Sequence, residues 1–194
     1  MKKHWMALAV LAGVMVSQAQ AQTVDSSWLW RLRAAHVDMR NSDNSGLGLS
    51  ADNKTMAELD FSYFFSRSMA AELNLSAPER HTLSSSGAAI GTFQQMPTTL
   101  MAQFHFVDLP GYKPYVGLGL NYTRFSSVNL GGLTLESHSW GPALQLGVDV
   151  PLDKNWLLNL DLKKLYVRTD LGGTASGTLK LDPLMAGVGI GYKF

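Results

Sequence analysis

"LMAGVGIGYKF", residues 184–194, is the stretch on which the fold turns. From Leu184 on, Ala186, Val188, Ile190, Tyr192 and Phe194 share one parity, and Gly187, Gly189, Gly191 and Lys193 share the other. Strict alternation is the mark of a strand with one apolar face. Soluble domains usually let their final residues fray in water. The closing strand of a membrane barrel must instead pair with the first, so that no open edge faces hydrocarbon. It can then end at the interface, where an aromatic anchor such as Phe194 belongs.

The same alternation recurs along the chain at 28–37, 57–64, 69–76, 100–106, 114–123, 140–150 and 156–163, and the last strand is expected to run from Thr178 to Phe194. That makes eight strands, and an even number of antiparallel strands closed on itself is the smallest membrane barrel. At Lys163-Lys164-Leu165-Tyr166 both parities carry bulk, and a β-bulge is expected there. Connections at 66–68, 107–113 and 151–155 are short; those at 39–54, 77–95, 126–137 and 169–177 are longer and rich in Gly, Ser, Asn and Asp. Short and long alternate, so with both termini on one side every long loop lies opposite them, as in outer-membrane barrels.

At the other terminus, Lys2 and Lys3 precede an apolar stretch from Met6 to Val16 and the small-x-small site Ala19-Gln20-Ala21. This is the order of a secretory signal peptide, residues 1–21, too short to span a membrane as a helix. Cleavage after Ala21 leaves 194 − 21 = 173 residues, 22–194, as one barrel domain. Losing Lys2 and Lys3 takes 16 basic residues to 14 against 15 acidic, a net charge of −1 with no basic excess for nucleic acid. The absence of cysteine removes disulfides, thiol nucleophiles and thiolate metal sites. No cofactor or metal is expected, and the expected location is the outer membrane of a Gram-negative bacterium.

Alternation alone does not say which face points outward, because a soluble ligand-carrying barrel puts its apolar set inside. The loop asymmetry favours the membrane, as do Trp28, Trp30, Tyr63, Phe106, Tyr115, Trp140, Trp156 and Tyr192 near strand ends, where interfacial girdles lie. With the apolar face outward, Arg31, Arg33, Glu58, Asp60, Glu72, Asp149, Asp161 and Lys163 face the lumen, and opposite signs must pair there. Together with Asn74 they are expected to plug it at mid-height. Inward glycines at 117, 119, 147, 187, 189 and 191 leave space or admit bulky neighbours, and Phe64, Met101, Phe125 and Leu157 add apolar patches. His105, with Ser62 or Ser76 beside it, is the one arrangement that hints at lipid hydrolysis. The simpler expectation is a lumen histidine bonded to Gln103 or water, and no catalytic motif appears.

The segments "MPTTLMAQFHF", "YKPYVGLGLNYTRFS", "SWGPALQLGVDVPLDKNWLLN" and "LDPLMAGVGIGYKF" resemble, in order, those of the OmpW family of small outer-membrane proteins, to which the alkane-uptake protein AlkL belongs. The resemblance implies an eight-stranded barrel associated with passage of small hydrophobic molecules. The ending at Tyr192 and Phe194 also resembles the signature read by the outer-membrane assembly machinery. The expected partners are outer-membrane lipids and lipopolysaccharide, small hydrophobic molecules and that machinery, with the protein a monomer. A lumen plugged by charges favours lateral release of an apolar guest into the membrane. Pro97, expected at the outer end of strand four, cannot donate a ladder hydrogen bond and marks the candidate gate, with Pro142 as competitor. The alternative is a structural or receptor barrel contacting lipopolysaccharide, phage or toxin, without transport.

Overall fold

The computed structural model describes residues 27–194. The expected signal peptide lies outside them. Within this span run β1 (Trp28–Asp38), β2 (Ser42–Asp43), β3 (Leu49–Ala51), β4 (Lys54–Phe64), β5 (Met69–Ser76), β6 (Glu79–Ser85) and β7 (Ala88–His105). They are followed by β8 (Lys113–Asn129), β9 (Leu133–Leu135), β10 (His138–Pro151), β11 (Trp156–Leu165), β12 (Arg168–Gly173), β13 (Gly177–Lys180) and β14 (Leu184–Lys193). Eight of them close a ring, each pair antiparallel, in the order β1, β4, β5, β7, β8, β10, β11, β14 and back to β1. The closing ladder runs from Leu29↔Lys193 to Asp38↔Leu184, so neither the first nor the last stave has an open edge.

Side-chain alternation then sorts the residues as a membrane barrel requires. Leu118 and Leu120 on β8 are 63% and 60% exposed, whereas Arg31 and Glu72 are wholly buried in the lumen. Aromatic groups gather at both ends of the wall. Trp28 packs on Tyr63 at 4.9 Å, and Trp156 bridges Trp30 and Tyr192 at 6.1 and 5.0 Å. At the outer end Tyr122 and Trp140 meet at 4.7 Å. Tyr115 departs from the expected girdle: it is fully buried inside the barrel.

The outer connections are more ordered than their composition suggests. β2, β13, β12 and β9 form a separate four-stranded sheet, while β3 pairs with β6 and β6 with the outer half of β7. The last strand is therefore not one run from Thr178. β13 belongs to the outer sheet and β14 to the barrel, with Asp182 at φ 36° and Pro183 between them. Nor is there a bulge at 163–166. The β10–β11 register is regular to Ala143↔Leu165, after which the chain leaves the wall for β12. The bulk on both parities there marks an exit from the barrel. A buried apolar cluster, with Val37, Met56, Phe93, Phe125, Leu165 and Leu179 among its members, joins the outer half of the lumen to this outer layer.

Candidate functional site

Facing positions on β1, β4 and β5 bring Arg31 opposite Asp60, Arg33 opposite Glu58, and Ser62 opposite Glu72. Arg31 Nη1 donates to Glu72 at 2.8 Å and Ser62 Oγ at 2.9 Å, while its Nε and Nη2 donate to the Asp149 carboxylate at 3.0 and 2.6 Å. Arg33 Nη2 lies 2.6 Å from Asp60, and its Nη1 lies 3.3 Å from Asp161 and donates to Asn159 at 3.0 Å. Lys163 Nζ reaches both Glu58 oxygens at 2.9 and 2.8 Å, and Asn74 donates to Asp60. Every charge expected in the lumen thus sits in one buried network.

Three cations face five carboxylates (Glu58, Asp60, Glu72, Asp149 and Asp161), and neutral donors make up the difference. Tyr115 Oη donates to Asp161 at 2.7 Å, Asn159 to Asp149 at 2.8 Å, and Gln145 to Glu72 and Asp161 at 2.9 and 2.8 Å. Because the carboxylates only accept, the Gln145 amide must present Nε2 to them and Oε1 to Gln103 Nε2, 2.9 Å away. Gln103 Oε1 is then left to accept from His105 Nε2 at 3.1 Å. His105 stacks on Tyr115 at 4.9 Å and meets Phe64 at a tilt at 4.8 Å, and Ser62 and Ser76 are bonded to Glu72 and Glu58 rather than to it. Tyr115, Gln145 and Asn159 escaped the sequence reading as site residues, although each lies on an inward parity.

The inward glycines are what let so much bulk fit. A Cβ on Gly147 would lie 2.2 Å from Tyr115 Cζ, and one on Gly189 2.7 Å from Arg33 Cγ. The missing side chains therefore leave no open lumen; the plug fills their space, and Trp30 stays outside with Trp156 and Tyr192. On the outer side of the plug the lining turns apolar, with Met39, Met56, Met101 and Met185 in the cluster beside Phe93 and Phe125.

Pro97 is not at a strand end but in the middle of β7, where that strand changes partner. The β5–β7 ladder stops at Leu75↔Thr98 and the β6–β7 ladder starts at Glu79↔Gln95. Alternate residues of a strand aim their N–H groups at alternate neighbours. His105 N–H points to the β5 side, at Ser68 O, so Pro97, of the same parity, lacks its donor on that side. Just past the end of β5, Ala77 is held to β4 by a bond from its N–H to Ala57 O at 2.8 Å. Gln95 Nε2 and Thr99 Oγ1, flanking Pro97 in the lumen, are buried without partners. An open dent of about 260 Å³ on the lipid-facing wall, lined by Leu32, Ala57, Leu59, Leu75 and Ala77, lies over β1, β4 and the end of β5, on the side of β5 away from β7. Pro142 is covered differently: Tyr166 N–H donates to its carbonyl at 3.1 Å.

The OmpW family model matches residues 12–194. Outer membrane protein W of Escherichia coli is 32% identical, over 84% of this chain and 87% of its own. The dibenzothiophene metabolism operon protein PahQ of Pseudomonas aeruginosa is 27% identical, over 88% and 90%. Among solved structures, OprG of Pseudomonas aeruginosa superposes with a TM-score of 0.78 at 26% identity, covering 87% of this chain and 96% of its own. A closed eight-stranded ring, an apolar lipid face and this match across nearly the whole chain lead to one conclusion: the protein belongs to the OmpW family of outer-membrane β-barrels.

Proposed function

We propose that the protein is a passive, non-enzymatic conduit that takes small hydrophobic molecules from outside the cell and releases them sideways into the outer membrane. The observation that carries this reading is the stacking of an apolar, methionine-rich cluster on a charged plug, with a wall seam beside the cluster. Unbranched thioether side chains adapt to guests of different shape. Passing straight on would strip hydrogen bonds from the plug at about 1–3 kcal/mol for each group left unpaired. Moving into hydrocarbon instead gains about 0.8 kcal/mol per methylene.

In this reading Met101 belongs to the adaptable cluster through which the guest passes, Arg31, Arg33, Glu58, Asp60, Glu72, Asn74, His105, Asp161 and Lys163 block the direct route, and Pro97 keeps the seam weak. Tyr192 and Phe194 deliver the chain, cleaved after Ala21, to the assembly machinery, and it works as a monomer among lipids and lipopolysaccharide. PahQ's name ties that relative to an operon for an apolar, fused-ring compound, which makes dibenzothiophene a suitable probe. Cells carrying the protein should take up dibenzothiophene several-fold faster than cells without it, and a hydrophilic sugar no faster. Pro97→Ala should slow that uptake at normal levels of folded barrel. A second reading, a receptor platform, draws on the folded outer sheet and has deletion leaving uptake unchanged.

A further inference from the structure

The periplasmic end of the barrel holds a cavity of about 290 Å³ on the far side of the plug from the apolar cluster. That is near the lower bound of small-molecule sites, about 300 Å³. Its inner walls are apolar, from Leu29, Leu157 and the Phe64 ring, and His105 and Asp149 of the plug close its inner end. Its mouth is cationic: Arg67 of the β4–β5 turn, Lys113 at the start of β8, Lys154 of the β10–β11 turn and Lys193 at the end of β14 line it. The two carboxylates of the lining are engaged. Asp149 holds Arg31, and Asp153 caps its own turn by accepting from the N–H groups of Asn155 and Trp156 at 2.8 and 2.7 Å. Arg67, Lys113 and Lys154 have no carboxylate within ion-pair distance among the described residues, and Lys193 lies over the Phe64 ring at 5.8 Å.

We infer that this vestibule is a second binding site, open to the periplasm, for a small amphipathic carboxylate whose apolar body packs on Leu29, Phe64 and Leu157 while its charge rests at the cationic mouth. The apolar walls face the barrel axis, so the occupant is a soluble molecule and not a bilayer lipid, whose head group lies outside the wall. A hydrated inorganic anion would leave those walls uncovered, and an apolar cation would meet like charge at the mouth. The site is independent of the uptake route, since the plug stands between them.

Benzoate is a suitable probe, with benzylammonium matching its body but not its charge, and acetate its charge but not its body. The full mature chain, folded in phosphatidylcholine nanodiscs so that no lipid anion competes, is titrated while backbone amide NMR signals are followed. Benzoate should shift His105, Lys113 and Leu157 saturably, with benzylammonium and acetate at least tenfold weaker. Lys113→Gln with Lys154→Gln should weaken benzoate about tenfold, with heat-modifiable gel mobility unchanged, as loss of two exposed charge contacts implies. Equal response to benzylammonium, shifts confined to the outer strands, or undiminished binding by the folded double variant would overturn the inference.

Discussion

Arg33 faces Asp60, Asp161, Glu58 and Glu72 at 2.6, 3.3, 3.5 and 3.7 Å, with its side chain wholly buried. Removing it strands carboxylates that no water reaches, and breaking a buried pair from one side costs about 3–5 kcal/mol. Arg33→Ala should lower the unfolding free energy in urea by about that amount, while the outward-facing Leu118→Ala should change it far less in the same lipid. A different residue sets a pH response in the outer layer. His81 is buried on Phe93, its Nδ1 donates to Asp52 O at 2.9 Å, and its Nε2 has no partner. Burial holds its imidazole below the ordinary 6.5, so the unfolded segment binds a proton more readily than the folded one. Stability of this layer is therefore full above about pH 6.5 and declines as pH falls below it. Hydrogen exchange across 79–85, corrected for intrinsic rates, should quicken on acidification, and His81→Phe should flatten that dependence.

At the scale of strands, Phe194 N–H donates to Trp28 O at 3.1 Å and its ring stacks on Tyr192 at 6.2 Å, so the closing strand is fastened at its periplasmic end. Phe194→Ser should reduce the folded barrel recovered from membranes, read by heat-modifiable mobility, while leaving transcript levels alone. The staves themselves were legible because alternation at period two, with small or charged residues inward, leaves few other folds. The outer strands were not. β2, β3, β9 and β13 are two to four residues long, and pairing partners far apart in sequence hold them, which no local pattern records. Pro97 was legible as a residue that cannot donate, but the partner change that makes it matter depends on where β5 ends. The plug's charges were readable from parity. Their partners Tyr115, Gln145 and Asn159 are apportioned across strands β8, β10 and β11, whose register the sequence leaves open.

For the whole molecule, the proposed function requires a lateral route that leaves the lumen before the plug. The guest's exit lies in the interval between the β5–β7 and β6–β7 ladders, where Ser76 and Pro97, and after them Ala77 and Met96, would face each other had the first ladder continued. The chain contains no cysteine, so a disulfide placed there is the sole thiol chemistry in the protein. The most direct measurement is dibenzothiophene uptake by cells carrying Ala77→Cys with Met96→Cys, oxidised to the cross-linked form and then reduced, each state verified by gel mobility. Closure of the seam should abolish most of the protein-dependent uptake and reduction should restore it, with either single cysteine variant indifferent to oxidant. Uptake that persists at the wild-type rate through a fully cross-linked wall would contradict lateral release.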